Sequence, residues 1–242
     1  MGDMSERLTV VLHQIRSPDN LGAVARLMVN FGLEKLALSD PATYAFAAAK
    51  KLAVGAESLL DHLRLYRSLP DAVGDAIYAV GTTSRRLRKR EVLDPEEGVH
   101  RLATNAERGE VALVFGGEKR GLSDEELASC QEVIRIPTCA GQQSMNVAQA
   151  VAVLLYLCHR QRRTAAPGAK LENRARISLV RQLEDVMEPV LLHAGFLNLQ
   201  SPKRALRVLL QPLLRGEFTQ REAEMWLAAF RQLDRALGLR RD

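Results

Sequence analysis

Cysteine is scarce in this chain. Only Cys130, Cys139 and Cys158 occur among 242 residues, an odd number without C-x-x-C spacing. That excludes a disulfide framework or a zinc site and points to a reducing compartment. The five histidines share no ligand-like spacing, so no metal is expected. Long hydrophobic runs are missing too. The longest, residues 147–158, is interrupted by Gln149 and closed by His159 and Arg160, too short for a bilayer span and suited to a buried helix. Residues 1–7 are polar and form no export signal, so a cytoplasmic protein with no membrane partner is expected. Nucleotide signatures are also lacking. No G-x-G-x-x-G follows the first strand, and although Gly116 and Gly121 have Walker A spacing, Leu122-Ser123 stands where Lys-Ser/Thr is needed.

What remains is an ordinary globular composition, 47% hydrophobic and 26% charged, long enough for one full core and a smaller second unit. The net charge of +5 is uneven: residues 1–164 carry 21 Lys+Arg against 20 Asp+Glu, and residues 165–242 carry 13 against 9. An arginine-rich second part fits a polyanionic partner, though a solvated helical surface has the same composition.

The first 160 residues alternate between strand and helix patterns. Strands are expected at 8–13, 35–38, 63–66, 76–81, 111–116 and 133–136, and helices at 21–31 and 44–54, from Asp94-Pro95, and from a capping box at Ser123–Glu126. The pattern predicts an α/β fold, a mostly parallel sheet with helices on both faces. Residues 160–170 are basic, then small, with Pro167-Gly168. We therefore divide the chain into a domain at 1–163, a linker at 164–170 and a basic all-α domain at 171–242. In the last, helices are expected at 171–194, from Pro202, and from a second capping box at Thr219–Glu222 to about Gly238.

Ligands of open α/β sheets sit beyond the carboxyl ends of strands. Four such loops stand out: residues 14–22, 81–86, 116–121 and 137–146. The last delivers Ser144 and Asn146 to the start of the apolar helix, where unpaired N–H groups and the positive dipole end favour a small polar ligand.

Asn20-x-Gly22-x-x-x-Arg26, Phe115-Gly-Gly-Glu118-x-x-Gly121 and Ile136-Pro…Ser144-Met-Asn146 resemble, in order and spacing, the three motifs of SPOUT-superfamily RNA ribose methyltransferases. Gly81-Thr-Thr-Ser-Arg85 and the basic helical extension narrow the resemblance to the TrmJ type, the tRNA (cytidine/uridine-2′-O)-methyltransferases acting at nucleotide 32 of the anticodon loop. The resemblance implies a deep trefoil knot in the sheet, S-adenosylmethionine as cofactor, tRNA as partner and a homodimer. Connection rules by themselves argue against a knot.

By the same resemblance, Thr82, Thr83, Ser84, Gly116, Gly117, Gly121, Ile136, Gln143, Ser144 and Met145 are expected around the cofactor. Arg26 and Ser144 are expected at the reacting hydroxyl. A guanidinium stays protonated, so Arg26 is read as a phosphate clamp and alkoxide stabiliser, with Ser144 orienting the hydroxyl. Singly, Arg26 reads equally as a surface cation and Ser144 as an N-cap. Asn20 is expected to cap the first helix, Asn146 to hold its loop through backbone bonds, and Glu118 to brace the turn or meet Arg26 or Arg120; as a base it needs a raised pKa. Arg16, the run Arg85, Arg86, Arg88, Lys89 and Arg90, and Lys203, Arg204 and Arg207 are expected to face RNA. Gly117 and Lys119 fill slots where related enzymes often carry Arg. Alternative readings are a ribosomal or other tRNA target, and a catalytically silent RNA-binding dimer.

Overall fold

The computed structural model describes residues 4–88, 90–162, 174–197, 202–215 and 218–239. The linker expected at 164–170 lies outside them. The chain forms two compact units, Met1–Leu171 and Glu172–Asp242.

The first unit runs α1 (Met4–Arg7), β1 (Leu8–His13), α2 (Pro18–Asn30), β2 (Lys35–Ser39), α3 (Phe46–Lys50), α4 (Glu57–Asp61), β3 (Arg64–Tyr66), α5 (Leu69–Ala72), β4 (Tyr78–Thr82), α6 (Pro95–Ala106), β5 (Val111–Gly116), α7 (Asp124–Leu127), β6 (Glu132–Ile134) and α8 (Val147–Arg162). Every strand pairing is parallel, in the order β3-β2-β1-β5-β4-β6. The two central strands, β1 and β5, are buried along nearly their whole length, as expected for a sheet covered on both faces. The chain leaves β1 toward β2 on one side, whereas β4 and β6 lie on the other side of β5. The β1/β5 boundary is thus the switch point, where a crevice opens at the carboxyl ends.

Helix α2 buries Leu21, Gly22, Val24, Ala25 and Met28, one stripe of a 3.6-residue period. Its cap is Ser17, not Asn20: the Ser17 hydroxyl accepts from the Asn20 N–H and Pro18 takes the first helical position. Gly22 is required there, since a Cβ would lie 2.2 Å from the Ala49 carbonyl oxygen. The alanine-rich stretch expected to be helical over 44–54 keeps only α3. It turns at Lys51-Leu52, which puts Ala53 and Ala56 in the core. The last strand is shorter than expected, because beyond Ile134 the Arg135 N–H bonds to Leu93 instead of a strand. The short helices α1, α4 and α5 carry too few residues for a periodic signal.

The second unit is helical: α9 (Ile177–His193), α10 (Pro202–Arg215) and α11 (Gln220–Leu237). Its own core joins Val180, Leu183 and Met187 of α9, Leu206 and Leu210 of α10, and Ala223 and Leu227 of α11. Helix α9 begins at Ile177 because Ala175 pairs in extended form with Phe218. Helix α11 has the predicted Thr219–Glu222 capping box and ends on Gly238 with φ 63°. No helix among the described residues is long and apolar enough to cross a membrane.

Candidate active site

The carboxyl ends of β4, β5 and β6 and the start of α8 enclose a cleft of about 890 Å³, counted to its open mouth. The ten positions expected around a cofactor, Thr82, Thr83, Ser84, Gly116, Gly117, Gly121, Ile136, Gln143, Ser144 and Met145, all line it. Phe115, Ile134, Val147 and Ala150 add apolar wall, and Glu118, Lys119 and Arg120 complete the rim. Phe115, Glu118 and Lys119 lie within the second motif, whereas Arg120, Ile134, Val147 and Ala150 are not motif positions, and their only cue is their place at a strand end or at the start of α8.

Local chemistry shapes the cleft. The Thr82 hydroxyl donates to the Val114 carbonyl (3.0 Å), and the Thr83 N–H to Ile134 (3.0 Å), tying the β4 exit to its neighbours. Strand β5 turns sharply after Phe115. A Cβ on Gly116 would lie 2.3 Å from the Gly121 carbonyl carbon, one on Gly117 2.3 Å from the Gln14 oxygen, and Gly121 has φ 65°. The turn closes through the Gly121 N–H to the Gly117 carbonyl (3.0 Å). Three glycines here answer three separate backbone demands.

Asn20, Glu118 and Asn146, one from each motif, form a single chain of hydrogen bonds. Asn146 Nδ2 donates to Asn20 Oδ1 (2.9 Å), and Asn20 Nδ2 donates to Glu118 Oε1 (2.9 Å). Glu118 also accepts from the backbone N–H groups of Arg16 and Ser17, both at 3.0 Å. Asn146 Oδ1 accepts from the Ala148 N–H (2.8 Å), so Asn146 caps α8 with its side chain rather than holding the loop through backbone bonds alone. A carboxylate that only accepts at one end and helix N–H groups that only donate at the other set the orientation of both amides. Burial raises the Glu118 pKa, but the bonds from Asn20, Ser17 and Arg16 outweigh it and hold the carboxyl below its ordinary value. Glu118 therefore braces the turn as an anion and lacks the raised pKa a base needs. Arg120 bonds Glu126 and Gln14 instead of Glu118.

Ser144 lines the cleft and is exposed. Arg26 is exposed on α2, does not line the cleft, and has no hydrogen bond or ion pair to another described residue. Exposed Cys139 lies outside the lining. In the basic run Arg86 and Arg88 are exposed, and Lys89 is outside the described residues. Arg85 reaches back to the Leu122 carbonyl and Asp124 (both 2.8 Å), and Arg90 donates to the Leu127 and Cys130 carbonyls just past α7. Arg90 is thus a cation at the C-terminal end of a helix, bonded within the unit. Lys203 is exposed; the Arg204 and Arg207 side chains are outside the described set.

His13, to which the sequence assigned nothing, sits buried at the end of β1. Its Nε2 is 3.0 Å from Glu126 Oε1 and its Nδ1 2.8 Å from Ser39 Oγ. Glu126 also accepts from the Ser123 N–H (2.7 Å) and Arg120 (2.5 Å). Burial pushes its carboxyl up, but the bonds from Ser123, Arg120 and His13 prevail and lower it to about 2. No group of His, Cys, Asp and Glu among the described residues is arranged to hold a metal ion.

Comparison with known proteins agrees with this architecture. The SpoU rRNA methylase family matches residues 7–156. A tRNA (cytidine/uridine/adenosine-2′-O-)-methyltransferase TrmJ from Pseudomonas aeruginosa is 35% identical, covering 84% of both chains. A tRNA (cytidine/uridine-2′-O-)-methyltransferase TrmJ from Pectobacterium atrosepticum is 34% identical, covering 81% of this chain and 83% of the relative. The crystal structure of TrmJ from Z. mobilis ZM4 superposes with a TM-score of 0.79 at 26% identity, covering 93% of this chain and 98% of that one. Parallel sheet, three-motif cleft and near full-length similarity lead to one assignment: the chain belongs to the SpoU rRNA methylase family, among its TrmJ-type RNA 2′-O-methyltransferases.

Proposed function

We propose that this protein methylates a ribose 2′-hydroxyl of tRNA with S-adenosylmethionine, at nucleotide 32 of the anticodon loop. The observation that carries the reading is the convergence of ten expected positions, from three loops far apart in sequence, on one cleft beside the Asn146–Asn20–Glu118 chain. The cleft suits the cofactor chemically. Phe115, Ile134, Ile136 and Val147 offer apolar wall to a base, while Thr82, Thr83 and Ser84 offer hydroxyls and the glycine turn offers close-approaching backbone. That cofactor would supply an electrophilic methyl group to an attacking hydroxyl oxygen, its sulfur keeping the electron pair of the broken S–CH3 bond as a neutral thioether while the hydroxyl proton passes to solvent.

The chain's own residues then have two tasks, positioning and charge stabilisation. Ser144 at the cleft mouth orients the ribose hydroxyl. Arg26, a permanent cation with no internal partner among the described residues, clamps the adjoining phosphate and stabilises negative charge developing on the oxygen. The first unit serves as the methyltransferase domain, over residues 1–163. A linker at 164–170 joins it to a helical domain at 171–242 that adds tRNA surface. A trefoil-knotted connection after β6, a homodimer and a cytoplasmic location complete the reading; sedimentation of the purified protein checks the dimer.

The test is incubation of unmodified tRNA with isotopically labelled S-adenosylmethionine, followed by ribose-specific mapping. A single 2′-O-methyl at nucleotide 32 is the expected product. Methyl transfer to a base, to another position only, or none despite cofactor binding would contradict it.

A further inference from the structure

A second recess borders the same Gly117–Gly121 turn as the cofactor cleft. Gln14, Arg16, Gly117, Lys119, Arg120 and Gly121 line it, with no acidic side chain among them. It lies at the switch point between β1 and β5, and it shares Gly117, Lys119, Arg120 and Gly121 with the cleft. A group seated in one is thus a single turn of backbone from a group seated in the other.

The three cations are of two kinds. Arg120 is locked. Its guanidinium donates to both oxygens of Glu126 (2.5 and 3.2 Å) and to Gln14 Oε1 (3.0 Å), while Glu126 is anchored from behind by buried His13 and the Ser123 N–H. Gln14 is itself fixed by its Nε2 to Asp40 (2.8 Å). Arg16 and Lys119 are exposed and have no ion pair with another described residue. A placed guanidinium beside two unneutralised cations in a concave, carboxylate-free lining is a site for a phosphate-type oxyanion.

We propose that this recess binds a phosphodiester of the RNA chain beside the ribose presented to the cofactor cleft. Arg16 and Lys119 neutralise the phosphate, and Arg120, held by Glu126 and Gln14, sets the strand's register. This rests on the reading of the protein as an RNA methyltransferase. It adds a subsite distinct from Arg26, which lines neither cavity.

Arg16→Ala is the primary variant. Arg16 lines the recess but not the cofactor cleft, and the backbone N–H that holds Glu118 survives the substitution. RNA binding is measured across a salt series, cofactor binding by calorimetry, and KM separately from kcat. For Arg16→Ala with Lys119→Gln, the expected result is RNA affinity lower by roughly tenfold and a smaller slope of log affinity against log salt by about 1.4, two single-strand phosphate contacts' worth. Arg16→Ala alone is expected to raise KM for RNA while cofactor affinity stays unchanged. Arg120→Lys, which keeps charge but loses the fork, is expected to lower kcat more than it raises KM. Unchanged RNA affinity and salt slope in a protein that still methylates RNA would overturn the recess alone. Loss of cofactor affinity in Arg16→Ala would reassign it to the cofactor's carboxylate. Wild-type protein that binds cofactor but neither binds nor methylates RNA would overturn the functional reading and the recess with it.

Discussion

Asn20 and Asn146 stand 126 positions apart in sequence and meet through one 2.9 Å hydrogen bond, from Asn146 Nδ2 to Asn20 Oδ1. Through Asn20 the bond continues to Glu118, so the turn after β1, the turn after β5 and the start of α8 are tied by one hydrogen-bonded chain. This bracing gives a different prediction for each partner.

Asn146→Ala removes both the α8 cap and the bond to Asn20. Unfolding in urea is expected to show a loss of about 1–2 kcal/mol, the upper part of the range for a helix cap. Asn146→Asp keeps the cap acceptor but faces Asn20 Oδ1 without a donor. It is expected to recover most of the stability while binding cofactor more weakly than wild type, and wild-type cofactor affinity would show the cross-bond to be idle.

Gly116→Ala tests the close approach of backbone at the cleft. The new Cβ would meet Gly121 main chain at 2.3 Å, with no flexible side chain to yield. A destabilisation of about 1–3 kcal/mol or more is expected, as for overpacking, with loss of cofactor binding by calorimetry.

Arg26→Ala removes an exposed cation that has no partner among the described residues. The melting temperature and cofactor affinity are expected to hold. The single-turnover methylation rate is expected to fall by roughly 10²–10³, the usual loss of one charge-stabilising donor. Full-rate methylation would remove Arg26 from the mechanism.

Glu126 supplies the pH prediction. Its folded pKa is depressed to about 2 from an ordinary 4.5, so it binds fewer protons folded than unfolded between those values. Its stabilising contribution is present above about pH 4.5 and is lost as pH falls toward 2. Urea midpoints measured from pH 6 to 3 should therefore fall more steeply in wild type than in Glu126→Gln. The variant itself is expected to be less stable at pH 6 by about 1–3 kcal/mol, because Arg120 and His13 lose a charged acceptor.

Much of this fold is legible in the sequence. The Ser123–Glu126 and Thr219–Glu222 capping boxes formed as read, because a cap joins residues three apart and depends on nothing distant. Strand β5 matches its expected limits, since a strand buried on both faces is a short unbroken apolar run that ends here at a glycine turn. Legibility stopped where partners are remote. The sequence suggests Asn20 as a cap because Asn often is one, but the cap is Ser17, three residues earlier, and the Asn20 side-chain amide turns to Glu118. A run of charge points Arg90 toward RNA, yet its guanidinium donates to the Leu127 and Cys130 carbonyls. His13 had no motif at all; its pairing with Glu126 spans 113 positions.

By itself, then, the sequence determined the alternation of elements, the glycine turn after β5, the caps, and which loops lie at strand ends. Each of these follows from local φ/ψ limits, side-chain period and short-range hydrogen bonding. Only the tertiary structure decided that the strand order reverses between β1 and β5. It alone decided that three motifs share one hydrogen-bonded chain, and that Glu118 is a bracing anion. Those outcomes depend on which groups lose water together and which donors reach them, and a carboxylate's pKa is set by that enclosure rather than by its neighbours in sequence.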